Sequence, residues 1–177
     1  MRVIAGSRGG RRLSAPRGRA TRPTSDRVRE ALFSMLGDVT GARVLDLFAG
    51  SGALGIEALS RGAAKATLVD SSPAAARAIR ANLEALELDA EVRRRDWRAA
   101  LREASADGRH YDLVLLDPPY RLASAIGPEL AQALAPVLAP GARVACESDR
   151  RVPLELGLPL SRERRHGDTT IRIHDTQ

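Results

Sequence analysis

The chain has 177 residues, enough for one domain with a substantial core, and 44% of them are hydrophobic, an ordinary share for a globular fold. Its one cysteine, Cys146, excludes an internal disulfide framework and a cysteine-based zinc site. The net charge of +6 is unevenly spread: Met1 to Glu30 holds nine arginines against Asp26 and Glu30, a surplus of +7, and the remainder carries −1.

A near-neutral domain with a basic N-terminal arm is expected to meet a polyanion, nucleic acid first. A solvated tail is the bland alternative. The basic residues of the arm are all arginine, whose guanidinium forks onto phosphates and stacks on bases, which favours nucleic acid. No apolar signal region follows the early arginines, and no apolar run approaches the ~20 residues of a membrane helix. A cytoplasmic monomer with no membrane partner is the expectation.

Arg2 to Ala5 reads as a short strand, which Gly9-Gly10 turns back into Arg11-Arg12-Leu13. Ser14 to Arg22 is a Pro/Gly/Arg loop. A helix begins near Pro23-Thr24-Ser25-Asp26, with Thr24 or Ser25 as N-cap and Asp26 in the positive first turn. Val28, Ala31, Leu32, Met35 and Leu36 form its apolar face, Arg27 and Arg29 lie off the centre of that stripe, and Gly37 stops it. From Ala42 the pattern alternates. Strands are expected at Val44–Phe48, Ala66–Asp70, Ala90–Arg95, Asp112–Asp117 and Arg143–Glu147. Helices are expected at Leu54–Arg61, Ala74–Leu86, Arg98–Ala106 and Ala123–Leu138, the last broken or kinked by Pro128 and Pro136. Leu160 to His166 and Thr169 to His174 flank a Gly167-Asp168 turn as an antiparallel hairpin. The fold class is therefore α/β: a Rossmann-like, mostly parallel seven-stranded sheet of the class I methyltransferase kind, with an antiparallel C-terminal hairpin. Residues 1–37 are expected to form a small basic RNA-binding extension, and 38–177 the methyltransferase domain.

Phe48 and Ala49 lead into Gly50-Ser51-Gly52-Ala53-Leu54-Gly55, a G-x-G-x-x-G between strand and helix. Alone it is a weak signal, since dinucleotide sites use it too. Asp46 tips the choice. A carboxylate there repels a pyrophosphate and suits the ammonium and sulfonium of S-adenosylmethionine. Asp70, followed by Ser71, is placed for ribose hydroxyls. Asp96 is placed for the adenine amino group and Trp97 for its ring. Blander roles compete: Gly55 for close helix packing, Asp96 as an N-cap, Trp97 as a core cap, Glu57 as a cap of the first helical turn or a hold on the loop.

Asp117-Pro118-Pro119-Tyr120 follows an apolar strand, where open α/β sheets place their sites. The prolines end the ladder and leave carbonyls free to accept. The Asp117 carboxylate and Pro118 carbonyl would accept from an exocyclic amine and aim its lone pair at a methyl donor. Tyr120 would stack on the base, which must be flipped or unpaired. No histidine or cysteine spacing suggests a metal.

These residues resemble the bacterial RsmD-type 16S ribosomal RNA guanine-N2 methyltransferases. The likeness runs through Arg2 to Gly6, Arg22-Pro23-Thr24, Asp26 to Phe33, Leu45 to Gly55 with Glu57-Ala58-Leu59, and Asp117 to Tyr120. Ser71 and Ser72 depart from the larger, often charged residues at those positions. The resemblance implies S-adenosylmethionine as donor and 16S rRNA in the small ribosomal subunit as partner, with Arg8, Arg11, Arg12, Arg22, Thr24 and Arg27 as candidate RNA contacts. The alternatives are an adenine-N6 methyltransferase on RNA or DNA, and a non-catalytic RNA-binding assembly factor.

Overall fold

In the computed structural model, which describes residues 1–16 and 25–176, seven strands form one sheet in the order β3-β2-β1-β4-β5-β7-β6. The strands are β1 Arg43–Asp46, β2 Lys65–Asp70, β3 Glu91–Arg94, β4 Tyr111–Leu116, β5 Leu138–Asp149, β6 Leu160–His166 and β7 Thr169–Asp175. The first five pair in parallel; β7 runs antiparallel to β5, and β6 antiparallel to β7. The helices are α1 Asp26–Leu36, α2 Ala53–Ser60, α3 Pro73–Leu86, α4 Trp97–Ala106 and α5 Tyr120–Leu134.

Alternation along the strands builds two cores. Val44, Leu113, Leu115 and Ala145 face α1, α2 and α3. Leu45, Val114, Leu116, Val144 and Cys146 face α4 and α5. The helix boundaries follow local chemistry. Ser25 Oγ accepts from the Val28 N–H to cap α1, and Gly37 ends it at φ 73°. Ser72 caps α3 with Pro73 at its start. The helix expected from Ala123 begins at Tyr120, because the Pro119 carbonyl accepts from the Leu122 and Ala123 N–H groups. It continues through Pro128 and tightens into a 3₁₀ turn at Ala135–Val137, beside Pro136.

The N-terminal segment is built into this architecture. Val3, Leu13, Leu32 and Phe33 are at most 6% exposed and join the core on the α1 side of the sheet, each side chain worth about 2 kcal/mol of apolar burial. The expected N-terminal hairpin forms as a short antiparallel pair: Arg2 bridges Arg12, the Val3 N–H donates to the Arg11 carbonyl at 2.9 Å, the Gly10 N–H to the Val3 carbonyl at 2.9 Å and the Leu13 N–H to the Met1 carbonyl at 3.0 Å. Gly6, at φ 81°, lies so close to α2 that a Cβ would sit 1.8 Å from the Ser60 carbonyl oxygen, and the Ser7 N–H donates to that oxygen at 2.7 Å, docking the hairpin on the helix. Arg29, expected off the apolar stripe of α1, is fully buried instead. It spans the packing by donating to the Arg2 carbonyl and the Asp26 carboxylate.

Candidate active site

The parallel strands deliver acids to one edge of the sheet, their carboxyl edge. Asp46 closes β1, Asp70 closes β2, and Asp117 follows β4. Asp46 is 1% exposed. Its Oδ2 accepts from the Gly55 N–H at 2.9 Å, and its buried Oδ1 has no hydrogen-bond partner among the described residues. Burial pushes its carboxyl up to about 7 against the pull of the Gly55 N–H, and the negative fields of Asp117 and Asp70 add to the rise. A carboxyl pressed toward neutrality by burial and then by other acids, with one oxygen unsatisfied among the described residues, is suited to a cationic ligand.

The glycine turn wraps around this group. Gly50 and Gly52 take φ 56° and 81°, and the Gly52 N–H closes the turn on the Ala49 carbonyl at 2.7 Å. The Gly50 N–H donates to Asp70 Oδ2 at 2.9 Å and the Ser72 N–H to Oδ1 at 2.8 Å. Asp70 therefore shapes the turn while standing at the β2 end. Gly55 serves close packing: a Cβ there would meet Leu68 at 3.0 Å and the Asp46 Cβ at 3.3 Å.

Further along the edge, Asp96 caps α4 by accepting from the Arg98 N–H at 2.9 Å, and its side chain remains exposed. Trp97 is 4% exposed, packed in the core beneath α4 and α5, with the Arg98 guanidinium 4.3 Å from its ring centroid. That placement gives Trp97 a core role and leaves Asp96 the more accessible of the two. Phe48 is half-buried and Ala49 buried behind the turn; Ser51 is nearly buried and Ser71 exposed. Asp117 is half-buried, Pro118 buried, and Tyr120 is the first residue of α5. Arg22, Thr24 and the side chain of Tyr120 lie outside the described residues.

Two residues hold the site through partners that sequence reasoning missed. Asn82 on α3 donates to the Ser51 carbonyl at 2.9 Å and exchanges hydrogen bonds with the Ser14 backbone at 2.8 and 3.0 Å. It thereby ties the glycine turn to the N-terminal segment. Glu57, fully buried, accepts from the Ile4 and Ala5 N–H groups at 2.7 and 3.0 Å and from Arg61 at 2.7 Å. Glu57 thus clamps the N-terminal segment to α2. The only signal in the sequence was a carboxylate in an otherwise apolar helix.

The basic arm divides by position. α3 leaves the carboxyl edge at Pro73 and descends 14 residues, about 21 Å, to Leu86 at the opposite edge. There Arg8 Nε donates to the Leu86 carbonyl at 2.6 Å and Arg11 to the Ala85 carbonyl at 2.8 Å. Both cations sit at a negative helix end, far from Asp117. Arg12 and Arg27 are exposed. A groove of about 410 Å³ runs along the outer strand β3, lined by Arg80, Val92, Arg93, Arg94, Arg95 and Glu103. It lies three strands from β4 but borders the Asp70 end of β2, where Arg94 is the register partner of Asp70 and the Arg95 N–H donates to the Asp70 carbonyl at 3.2 Å; Arg93 is engaged there with Glu91, Glu103 and Asp107. Among the described residues no group of three or more His, Cys, Asp or Glu is placed to hold a metal, and no helix is long and apolar enough to cross a membrane.

Comparison with known proteins accords with this geometry. The family described as Conserved hypothetical protein 95 matches residues 1–175. Ribosomal RNA small subunit methyltransferase D of Escherichia coli K12 is 43% identical over 123 residues, 68% of this chain and 61% of the relative, so the match spans less than two thirds of that protein. The solved Escherichia coli structure of yhhF is 35% identical with a TM-score of 0.85, covering 100% of this chain and 98% of that one. A Thermus thermophilus 16S rRNA N2 methyltransferase, solved with AdoMet and guanosine, shares the fold at TM-score 0.74 and 23% identity, over 92% of this chain and 45% of that one. The sheet order and the antiparallel closing hairpin are those of S-adenosylmethionine-dependent methyltransferases. With nearly its full length matched and its fold shared, the chain belongs to the Conserved hypothetical protein 95 family, the RsmD-type methyltransferases.

Proposed function

We propose that the chain transfers a methyl group from S-adenosylmethionine to the exocyclic N2 amine of a guanine in 16S rRNA, within the small subunit or an assembly intermediate. The carrying observation is Asp46, buried at a strand end among acids with Oδ1 unsatisfied. Its chemistry fits a ligand that is cationic at its ammonium and sulfonium. The glycine turn beside it allows close backbone approach, and Asp70 and Asp96 would take the ribose and adenine ends. The name of the Escherichia coli relative supports ribosomal RNA as substrate, and the guanosine-bound neighbour supports this fold accepting such a base.

The donor, when bound, supplies an electrophilic methyl. The chain's part is orientation. Asp117 and the Pro118 carbonyl would accept hydrogen bonds from the amine, turning its lone pair out of conjugation toward the methyl. As the N–C bond forms, the C–S bond breaks and the sulfur keeps its electron pair. The amine then loses one proton, with Asp117 nearest to receive it. Excluding water from the half-buried turn strengthens these interactions.

The reading is tested by incubating the protein with methyl-labelled donor and, separately, small subunits, naked 16S rRNA and DNA, then identifying the labelled nucleoside. N2-methylguanosine from RNA is expected. N6-methyladenosine, or label in DNA alone, would overturn the reading. Tight donor binding with no label on any substrate would favour an RNA-binding assembly factor.

A further inference from the structure

β5 overshoots its neighbour. Cys146 pairs with Leu116, the last residue of β4, and β5 continues to Asp149, about 10 Å further. β7 follows that overshoot, pairing Ile171 with Glu147, Thr170 with Ser148 and Thr169 with Asp149. β6 follows β7 up to His166 opposite Thr169. The Arg150 N–H donates to the Asp168 carbonyl at 2.7 Å, locking the chain leaving β5 to the β6–β7 turn. The C-terminal hairpin and the end of β5 therefore stand as a wall beside the Asp117 turn, rising past it on the carboxyl edge.

The crest of this wall is arginine-rich. Arg150, Arg151, Arg164 and Arg165 are all exposed, with 74% of the Arg151 side chain and 68% of that of Arg165 in solvent. Asp149, Glu163 and Asp168 lie among them. The pairs Arg151 to Asp149 at 3.4 Å and Arg165 to Glu163 at 3.5 Å join guanidinium groups in solvent to carboxylates whose side chains are 13% and 27% exposed, long contacts with which a phosphate can compete. Among the described residues Arg150 and Arg164 make no ion pair within 4.0 Å. Arg164 and Arg165 project from opposite faces of β6, so the charge wraps over the crest.

We propose that this crest binds the phosphodiester backbone of the RNA strand whose base enters the Asp117 turn, an inference that rests on the RNA-methyltransferase reading above. A base flipped into a pocket leaves its backbone outside, roughly a nucleotide's length away. The end of β5, which carries Arg150 and Arg151, stands at that height on the strand next to β4, and Arg164 and Arg165 continue the charge two strands further out on β6. Guanidinium groups suit phosphate oxygens there because they accept bidentate geometry and remain charged. The RNA footprint is thereby extended from the N-terminal segment to the opposite end of the chain. Arginine on an outer strand also blocks pairing with another chain, but acidic residues would do that equally well. Charge reversal separates the two roles.

The test compares the wild type with a variant carrying Arg150→Glu, Arg151→Glu, Arg164→Glu and Arg165→Glu, using 16S rRNA at several salt concentrations and S-adenosylhomocysteine separately. The variant should bind RNA at least tenfold more weakly. The slope of log affinity against log salt should flatten by about 0.7–0.9 for each phosphate no longer neutralised. Melting temperature and S-adenosylhomocysteine affinity should hold. Equal RNA affinity and slope in the two proteins would overturn the proposal. If the reversed variant does not fold, single Arg150→Gln and Arg164→Gln proteins carry the test, and an unchanged slope in both is again fatal to it. A wild type that binds RNA through the crest yet methylates no guanine would sink the enzymatic reading and spare the crest. Normal guanine methylation by a crest variant with wild-type RNA affinity would sink the crest alone.

Discussion

Asp46→Asn is the most informative perturbation of the donor side. Burial and the neighbouring acids lift this carboxyl from 3.8 to about 7. The unfolded chain holds it near 3.9, so between those values the folded state keeps a proton that the unfolded state has lost. The stability this group lends is therefore full below pH ~4 and disappears as pH rises through about 7. At ~1.36 kcal/mol per pH unit the swing is about 4 kcal/mol. Asn keeps an oxygen for the Gly55 N–H and cannot ionise. Urea melts of the ligand-free proteins should match near pH 4 and diverge with pH, the Asn variant being more stable at pH 8 by up to about 4 kcal/mol. Donor binding should reverse the ranking. Wild-type affinity for S-adenosylmethionine should climb nearly tenfold from pH 5 to pH 6 and level off above 7, because the ligand selects the ionised form. The Asn variant should bind weakly at every pH. The same wild-type-to-variant stability difference at pH 5 and pH 8, or wild-type donor affinity in the Asn protein, would refute the reasoning.

Glu57→Gln removes a buried carboxylate that serves two backbone N–H groups and Arg61, and should cost about 3 kcal/mol. The Ile4 and Ala5 amides should exchange faster by hydrogen exchange, and a loss below about 0.5 kcal/mol would remove the clamp role. Asn82→Ala should weaken donor binding severalfold by calorimetry while sparing the sheet, since it releases Ser51 and Ser14 together; unchanged affinity would show the turn holds itself. Arg8→Ala should lower stability by about 1 kcal/mol by removing its hydrogen bond to the α3 terminus, and should leave the salt slope of RNA binding in place. A slope flattened by about 0.7 would instead return Arg8 to the RNA contacts.

The sheet was largely legible in the chain because its signals are periodic. Short near-continuous apolar runs bounded by turn signals, such as Tyr111–Leu116, read as strands buried on both faces, and the turns between them place Asp46, Asp70 and Asp117 on one edge. Glycines were legible as turn formers, whereas the close approach of Gly6 to α2 exists only in the folded chain. Polar residues whose partners are remote in sequence were not legible. Arg29 reaches back 27 residues to Arg2, and Arg8 reaches forward 78 to Leu86. Charge counting placed both in a basic arm, whereas the fold buries one and sets the other on a helix end. β5 was read from Arg143, after a helix carried to Leu138; it begins at Leu138 and absorbs the intervening residues as a bulge against β4. The RNA side stays least legible in the sequence, because phosphate contacts need exposed charge in the right place rather than any spacing.

The central claim is that Asp117 and its prolines present a guanine amine to the donor at the carboxyl edge. The most direct measurement is the amount of N2-methylguanosine per 16S rRNA formed in a single turnover on small subunits, wild type beside Asp117→Ala, with donor affinity measured on both. The account predicts stoichiometric N2-methylguanosine from the wild type and a loss of at least 100-fold in rate for the variant, as for removal of one oriented polar group at a reacting centre, with donor affinity changed by less than about threefold. N6-methyladenosine in place of N2-methylguanosine, or a variant that transfers as fast as the wild type, would contradict it.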